Sequence, residues 1–145
     1  MTTILGVDPG REKCGVAVVR VAPAAQAERP SWAVLHHDVV SAELTPSAIA
    51  ALLLKYGVSQ VVMGNQTTSA HWQAKLEDIV KGPIALVDER NSSLEARDRY
   101  WELYPATGLG RWVPKALRSI PGPVDGIVAI LLVERYLQRE AKTVP

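Results

Sequence analysis

At 145 residues, with 48% apolar and 21% charged side chains, the chain has the size and balance of one globular domain with a buried core. No apolar run reaches the roughly 18 residues needed to cross a bilayer, and Met1-Thr2-Thr3 sets no basic stretch before the first apolar segment, so neither a membrane partner nor a signal peptide is expected. The single cysteine, Cys14, excludes an internal disulfide and a cysteine zinc framework, and a net charge of +1 argues against a non-specific nucleic-acid coat; a cytoplasmic protein fits best.

Ile4 to Val7 and Gly15 to Val19 are apolar runs separated by Asp8-Pro9-Gly10, the pattern of a β-hairpin in a buried sheet. Val21 to Pro30, rich in Ala and Pro, reads as a loop. Trp32 to Val40 forms a third strand that points His36 and His37 to opposite faces. Thr45 as N-cap and Pro46 at the first helical position open a helix with the stripe Ile49, Leu52, Leu53 and Tyr56, closed by Gly57. Val58 to Met63 is a short buried strand that ends in Gly64-Asn65-Gln66. A second helix runs from Ser69 to Val80, with Trp72, Leu76, Ile79 and Val80 on one side, and Gly82-Pro83 breaks it before the buried strand Ile84 to Val87.

Ser92 with Glu95 makes a capping box for a third helix that reaches Leu103. Tyr104 to Pro123 reads as a long irregular connection, a kind that in compact domains is usually functional or mobile. The last helix spans Pro123 to Glu140, and its first turns, Gly126 to Val133, are apolar all round and therefore buried. Three strands in a meander and two helix-crossover units predict an α/β fold: a mixed five-stranded sheet, three antiparallel strands plus two parallel ones, flanked by helices in a single domain over 1–145.

Three acids occupy telling positions. Asp8 ends the first strand, Glu89 follows the last, and Asp125 lies in the first turn of the buried helix. Open α/β sheets gather their active sites at the carboxyl ends of strands. Carboxylates gathered there repel one another unless divalent cations sit among them. Oxygen-only ligation suits one or two Mg²⁺ or Mn²⁺ ions. A pair roughly 3.5–4 Å apart activates water and stabilises the leaving oxygen in phosphodiester hydrolysis. Each acid also has a local explanation: a turn-forming Asp8 or its pairing with Arg11 or Lys13, a salt-bridged Asp88-Glu89-Arg90 loop, and a favourable helix dipole at Asp125.

Charge distribution adds a second cue. From Arg90 to Arg118 there are six cations against three acids, and between Leu103 and Val124 three cations and no acid, although a solvated loop explains such a run equally well. Trp112 beside Arg111, with Lys115 and Arg118, combines a stacking platform with phosphate neutralisers, as single-stranded nucleic acid requires. The alternative is a tryptophan that pins the loop to the core. Arg90 contacts a phosphate or pairs with Asp88, and Asn65 and Gln66 bind substrate or form the turn.

Gly6-Val7-Asp8-Pro9-Gly10 with Gly15-Val16-Ala17, Val62-Met63-Gly64, Val87-Asp88-Glu89-Arg90 and Pro123-Val124-Asp125-Gly126 together resemble the YqgF (RuvX) family, over nearly the whole chain and in order. The resemblance implies the RNase H-like fold, similarity to RuvC-type Holliday-junction resolvases, and a metal-dependent nuclease associated with processing of the small-subunit ribosomal RNA precursor. Asp8, Glu89 and Asp125 match the acidic triad of that family. Pro9 replaces its usual aromatic residue and is closer to RuvC; Ser92-Ser93 replaces its Thr-Thr, and Gly64-Asn65-Gln66 its Gly-hydrophobic-Pro. Val128 takes the place of a second helical acid found in RuvC, which leaves a triad.

The expected function is thus a Mg²⁺- or Mn²⁺-dependent nuclease acting on structured RNA, on four-way DNA junctions, or on both. Junction resolution favours a homodimer, because two symmetric cuts need two sites. Two other classes stay open: a non-catalytic RNA- or polymerase-binding factor of the same fold, and an actin-like phosphate-binding ATPase fragment, which an Asp-x-Gly hairpin also suits.

Overall fold

The computed structural model describes residues 2–22, 31–114 and 124–143. Continuous apolar runs, buried on both faces, build β1 (Thr2–Asp8) and β2 (Lys13–Val21), which pair antiparallel from Thr2 opposite Val21 to Asp8 opposite Gly15. β3 (Trp32–Ser41) pairs antiparallel with β2, with a register shift at Val18/Val19. Helix α1 (Thr45–Tyr56) leads to β4 (Gln60–Gly64), and α2 (Ser69–Leu76) leads to β5 (Ile84–Val87); each crossover lays its strand parallel to the one before it in the sheet. The strand order is β3-β2-β1-β4-β5, so β1 is central and its carboxyl end is flanked by β2 and β4. Helices α3 (Ser92–Leu103) and α4 (Asp125–Thr143) complete the described chain, with a 3₁₀ turn at Gly108–Trp112 between them.

The period of two along the strands divides the core. Leu5, Val7, Val16, Val18, Val61 and Met63 face α1 and α2, where Ile49, Trp72 and Leu76 are buried. Ile4, Ala17, Val19 and Val62 face α4, whose residues Ile127 to Val133 are all buried. A helix buried on every side needs a second neighbour, and α3 supplies it: Tyr100 and Leu103 pack on the same cluster. Gly6, Asp8, Gly15 and Gly64 share the strand parity of this face, so Asp8 belongs on the side where α4 lies.

Several boundaries differ from the sequence expectation. Thr45 is the first helical residue rather than the N-cap, which is Leu44; its buried hydroxyl donates to the Ser41 carbonyl at 2.8 Å and so closes the preceding turn. Ser92 and Glu95 form no capping box. Asn91, in the left-handed conformation at φ 61°, precedes α3, and Glu95 pairs with Arg135 instead. Helix α2 ends at Leu76, with Ile79 and Val80 carried on by bonds back to the Leu76 carbonyl. β4 starts at Gln60, and α4 begins at Asp125, while Pro123 lies outside the described residues. His36 and His37 do take opposite faces, His36 toward Tyr56 of α1 and His37 bonded to Tyr104 after α3 at 2.6 Å.

Candidate acidic site

Asp8 is the last residue of β1, and the turn after it is held from beneath. The buried Trp72 indole of α2 donates to the Gly10 carbonyl at 2.8 Å, which fixes Pro9-Gly10 against the sheet. On the neighbouring side, β5 stops at Val87, and its carbonyl accepts from the Asn65 backbone N–H at 3.0 Å beyond the β4 ladder. The chain then makes a turn of its own. Asp88 Oδ1 accepts from the Arg90 N–H at 2.9 Å, an Asx turn, and its Oδ2 accepts from Arg90 Nε at 3.0 Å. The sequence left Glu89 open between a salt-bridged loop and a site acid, and the turn separates the two possibilities. Asp88 and Arg90 pair with each other on the outside, whereas Glu89 points inward and is only 3% exposed.

Glu89 rests directly on Gly64: a Cβ there would overlap its carboxyl group. Among the described residues neither Glu89 oxygen has a hydrogen-bond partner apart from the Asp8 carboxyl, although both are buried. The group that faces them is the Asp8 carboxyl, which bonds to Glu89 only by keeping its proton. Burial first, then that bond and the charges of Glu89 and Asp125, push the Asp8 pKa up to about 8. Burial also raises Glu89, against the opposing effects of the Asp8 bond and of Arg135.

Asp125 reaches the same end of the sheet because α4 packs very closely on β2. A Cβ at Gly15 would overlap the Asp125 carbonyl, so no larger residue leaves room for the helix start. The Asp125 carboxylate accepts an ion pair from Lys13 Nζ at 3.2 Å, with both groups part-exposed. Asp8 and Asp125, with Pro9, Lys13, Gln66 and Ser92, line an open cleft of about 470 Å³. Glu89 is buried away from its wall. A more apolar cavity of about 500 Å³, bounded by Leu53, Val58, Val80 and Pro83, lies at the opposite end of β4, far from the acids.

The three acids therefore share one end of the sheet, but not as a closed ligand cage. Among the described residues no three carboxylate, imidazole or thiol groups are grouped closely enough to hold one ion. Asp8 and Glu89 are in contact, and Asp125 is turned to Lys13. The donor set nevertheless fits a hard divalent cation, because two buried carboxylate oxygens whose only partner is another acid are what such an ion satisfies.

The remaining candidates are more dispersed. Arg90 is 88% exposed at its side chain and paired with Asp88. Asn65 is exposed beside the cleft residue Gln66. Trp112 is 77% exposed, with the Arg111 guanidinium 5.6 Å from its ring centre, so it does not pin the loop to the core. Lys115 and Arg118 lie outside the described residues. Sequence reasoning missed Arg135. It donates to the carbonyls of Asp88 at 2.7 Å and Arg90 at 2.8 Å, and the sole cue in the chain was a cation on the last helix beyond its buried turns.

No protein-family model and no curated protein sequence matches the chain. Solved structures do. The structure of RuvC from Thermus thermophilus superposes with a TM-score of 0.55 at 14% identity, covering 95% of this chain and 96% of that one. The T. thermophilus RuvC in complex with a Holliday junction substrate gives the same TM-score and the same coverage at 17% identity. The shared architecture is the RuvC-like RNase H fold, with its mixed five-stranded sheet and flanking helices.

Proposed function

We propose that this chain is a divalent-metal-dependent nuclease that hydrolyses phosphodiester bonds in structured nucleic acid. The observation that carries the reading is the Asp8–Glu89 pair: a buried Glu89 whose only partner is the half-buried Asp8 carboxyl, beside an open polar cleft that also holds Asp125. A fold uses such an arrangement at a cost, since buried carboxylates without partners destabilise it. Perturbed acids in a cleft are characteristic of sites that do chemistry.

In this reading Asp8 and Glu89 hold Mg²⁺ or Mn²⁺, with Asp125 as the third acid. When bound, the metal supplies Lewis-acid polarisation of a phosphate oxygen and a nucleophilic water at neutral pH. The chain itself supplies the placement. Gly64 lets Glu89 lie flat on β4, Trp72 fixes the turn after Asp8, and Gly15 lets α4 carry Asp125 into the cleft. Lys13 balances Asp125 and offers a cation at the cleft wall, where a phosphate backbone would pass. Arg111 and Trp112 in the 3₁₀ turn, and the cations Lys115 and Arg118 that follow them in sequence, bind substrate, and Asn65 and Arg90 flank the acids.

The finer reading follows the resemblance to the YqgF (RuvX) proteins: the substrate is a ribosomal RNA precursor, a four-way DNA junction, or both. The fold shared with a RuvC bound to a Holliday junction supports the DNA arm. The deciding experiment sets labelled RNA and a labelled four-way junction beside wild type, Asp8→Asn, Glu89→Gln and Asp125→Asn, each with Mn²⁺ or Mg²⁺. Metal-dependent cutting by wild type, lost by a factor of at least about 100 in each variant, is expected, since removal of an essential ligand or acid–base group costs about that much. If wild type cuts neither substrate, the reading as a non-catalytic RNA- or polymerase-binding factor moves ahead.

A further inference from the structure

We infer that Arg135 is the positioning residue for Glu89, and that the α4 guanidinium sets where this acid stands relative to Asp8 and Asp125. Beyond Val87 the chain leaves the sheet, so no strand partner fixes the peptide units that carry Glu89. Arg135 takes that role. Its Nη1 donates to the Asp88 carbonyl at 2.7 Å and its Nη2 to the Arg90 carbonyl at 2.8 Å. One planar group thus bridges the backbone on both sides of Glu89. Nη2 also meets Glu95 Oε2 at 2.9 Å, which anchors the guanidinium from α3.

The rigid fork makes the contact directional. Two parallel bonds fix orientation as well as distance, which a single ammonium on a flexible stem does not do. Arg139, one helical turn further along α4, adds a bond from Nη1 to the Leu86 carbonyl at 2.9 Å. The same helix begins with Asp125. Helix α4 therefore carries one acid of the site directly and grips the turn that bears a second, while its apolar turns rest on the strand that ends in the third. The spacing of the three acids is set by one rigid element.

The functional consequence rests on the proposed metal reading, so the test has two readouts. Mn²⁺ binding is measured by calorimetry on the intact chain, and the Gly64 amide and Glu89 carboxyl resonances are followed by NMR without metal. Gly64 reports Glu89 directly because the carboxyl lies on it. The variants are Arg135→Gln and Arg135→Lys, with Arg139→Gln as the control that removes a neighbouring α4 bond to β5.

Both Arg135 variants should shift the Gly64 and Glu89 signals and weaken Mn²⁺ binding by about 10- to 100-fold, as loss of an orienting partner does. Arg139→Gln, which frees only the Leu86 carbonyl inside β5 and no carbonyl of the turn that carries Glu89, should leave both readouts at wild-type values. If Arg135→Gln fails to fold, Arg135→Lys, which keeps the charge but not the fork, decides the matter. Wild-type signals in a folded Arg135 variant, or equal shifts in Arg139→Gln, overturn the inference. If wild type binds no Mn²⁺, the metal reading falls, and the NMR shifts alone still decide whether Arg135 positions Glu89.

Discussion

Asp8 and Glu89 impose opposite demands on the fold and on the site. For folding, a buried carboxyl is cheapest when protonated, and Asp8 has its pKa pushed up to about 8 from an ordinary value of 3.8. The folded chain then binds a proton more tightly than the unfolded one between those values, so stability falls as pH rises through this window. The contribution is complete below pH 4 and gone above pH 8. In metal-free buffer, wild type should therefore lose thermal stability relative to Asp8→Asn as pH is raised from 4 to 8, because Asn cannot ionise. A ligand that binds only the folded state raises stability by mass action, so saturating Mg²⁺ at pH 8 should restore the loss in wild type and not in the variant. Parallel melting-temperature profiles for the two proteins would refute the assignment of the burden to Asp8.

At the level of elements, the approach of α4 to the sheet is what turns three scattered acids into one site. Gly15 is the tightest point: a Cβ there would stand 2.9 Å from the Gly126 nitrogen and overlap the Asp125 carbonyl. Gly15→Ala should therefore lift the start of α4 and cost about 1–3 kcal/mol in urea unfolding, the usual penalty for overpacking. It should also weaken metal binding more than Gly57→Ala, whose Cβ meets open space but a strained φ of 60°. Equal effects on metal binding would mean that the helix start tolerates displacement. The elements themselves were readable because their signals are local: strand runs of β-branched residues, Pro46 opening α1, Gly57 closing it, and an all-apolar stretch in α4. Their ends were less so. Thr45 and Ser92 carry the chemistry of caps, but Thr45 bonds backward to Ser41 and Glu95 is drawn away by Arg135, 40 residues on in the chain. Such a competition is decided in three dimensions and leaves no local trace.

Over the whole molecule the same distinction holds. The position of Asp8 and Glu89 at strand ends was legible, since in a meander followed by two helix crossovers the first strand commonly lies near the centre, as the order β3-β2-β1-β4-β5 has it. Their pairing was not: that Glu89 turns in onto Gly64 while Asp88 and Arg90 satisfy each other depends on a turn whose outer carbonyls are held by Arg135. Beyond the acidic end, the molecule carries a nearly neutral net charge, so under the proposed function attraction of nucleic acid has to come from a local surface rather than from the total. The 3₁₀ turn at Gly108–Trp112 is the candidate, because it exposes Leu109 and Trp112 and places Arg111 over the indole. If bases stack there, Trp112→Ala should weaken binding of single-stranded nucleic acid by about 1–3 kcal/mol while leaving stability within about 0.5 kcal/mol, as expected for an exposed side chain. Neutralising Arg111, Lys115 and Arg118 together should reduce the slope of log affinity against log salt by about 2 if all three meet phosphates. An unchanged slope with a weakened Trp112→Ala would leave a stacking surface without electrostatic capture, and the cations that draw the substrate would have to be sought around Lys13 and the cleft instead.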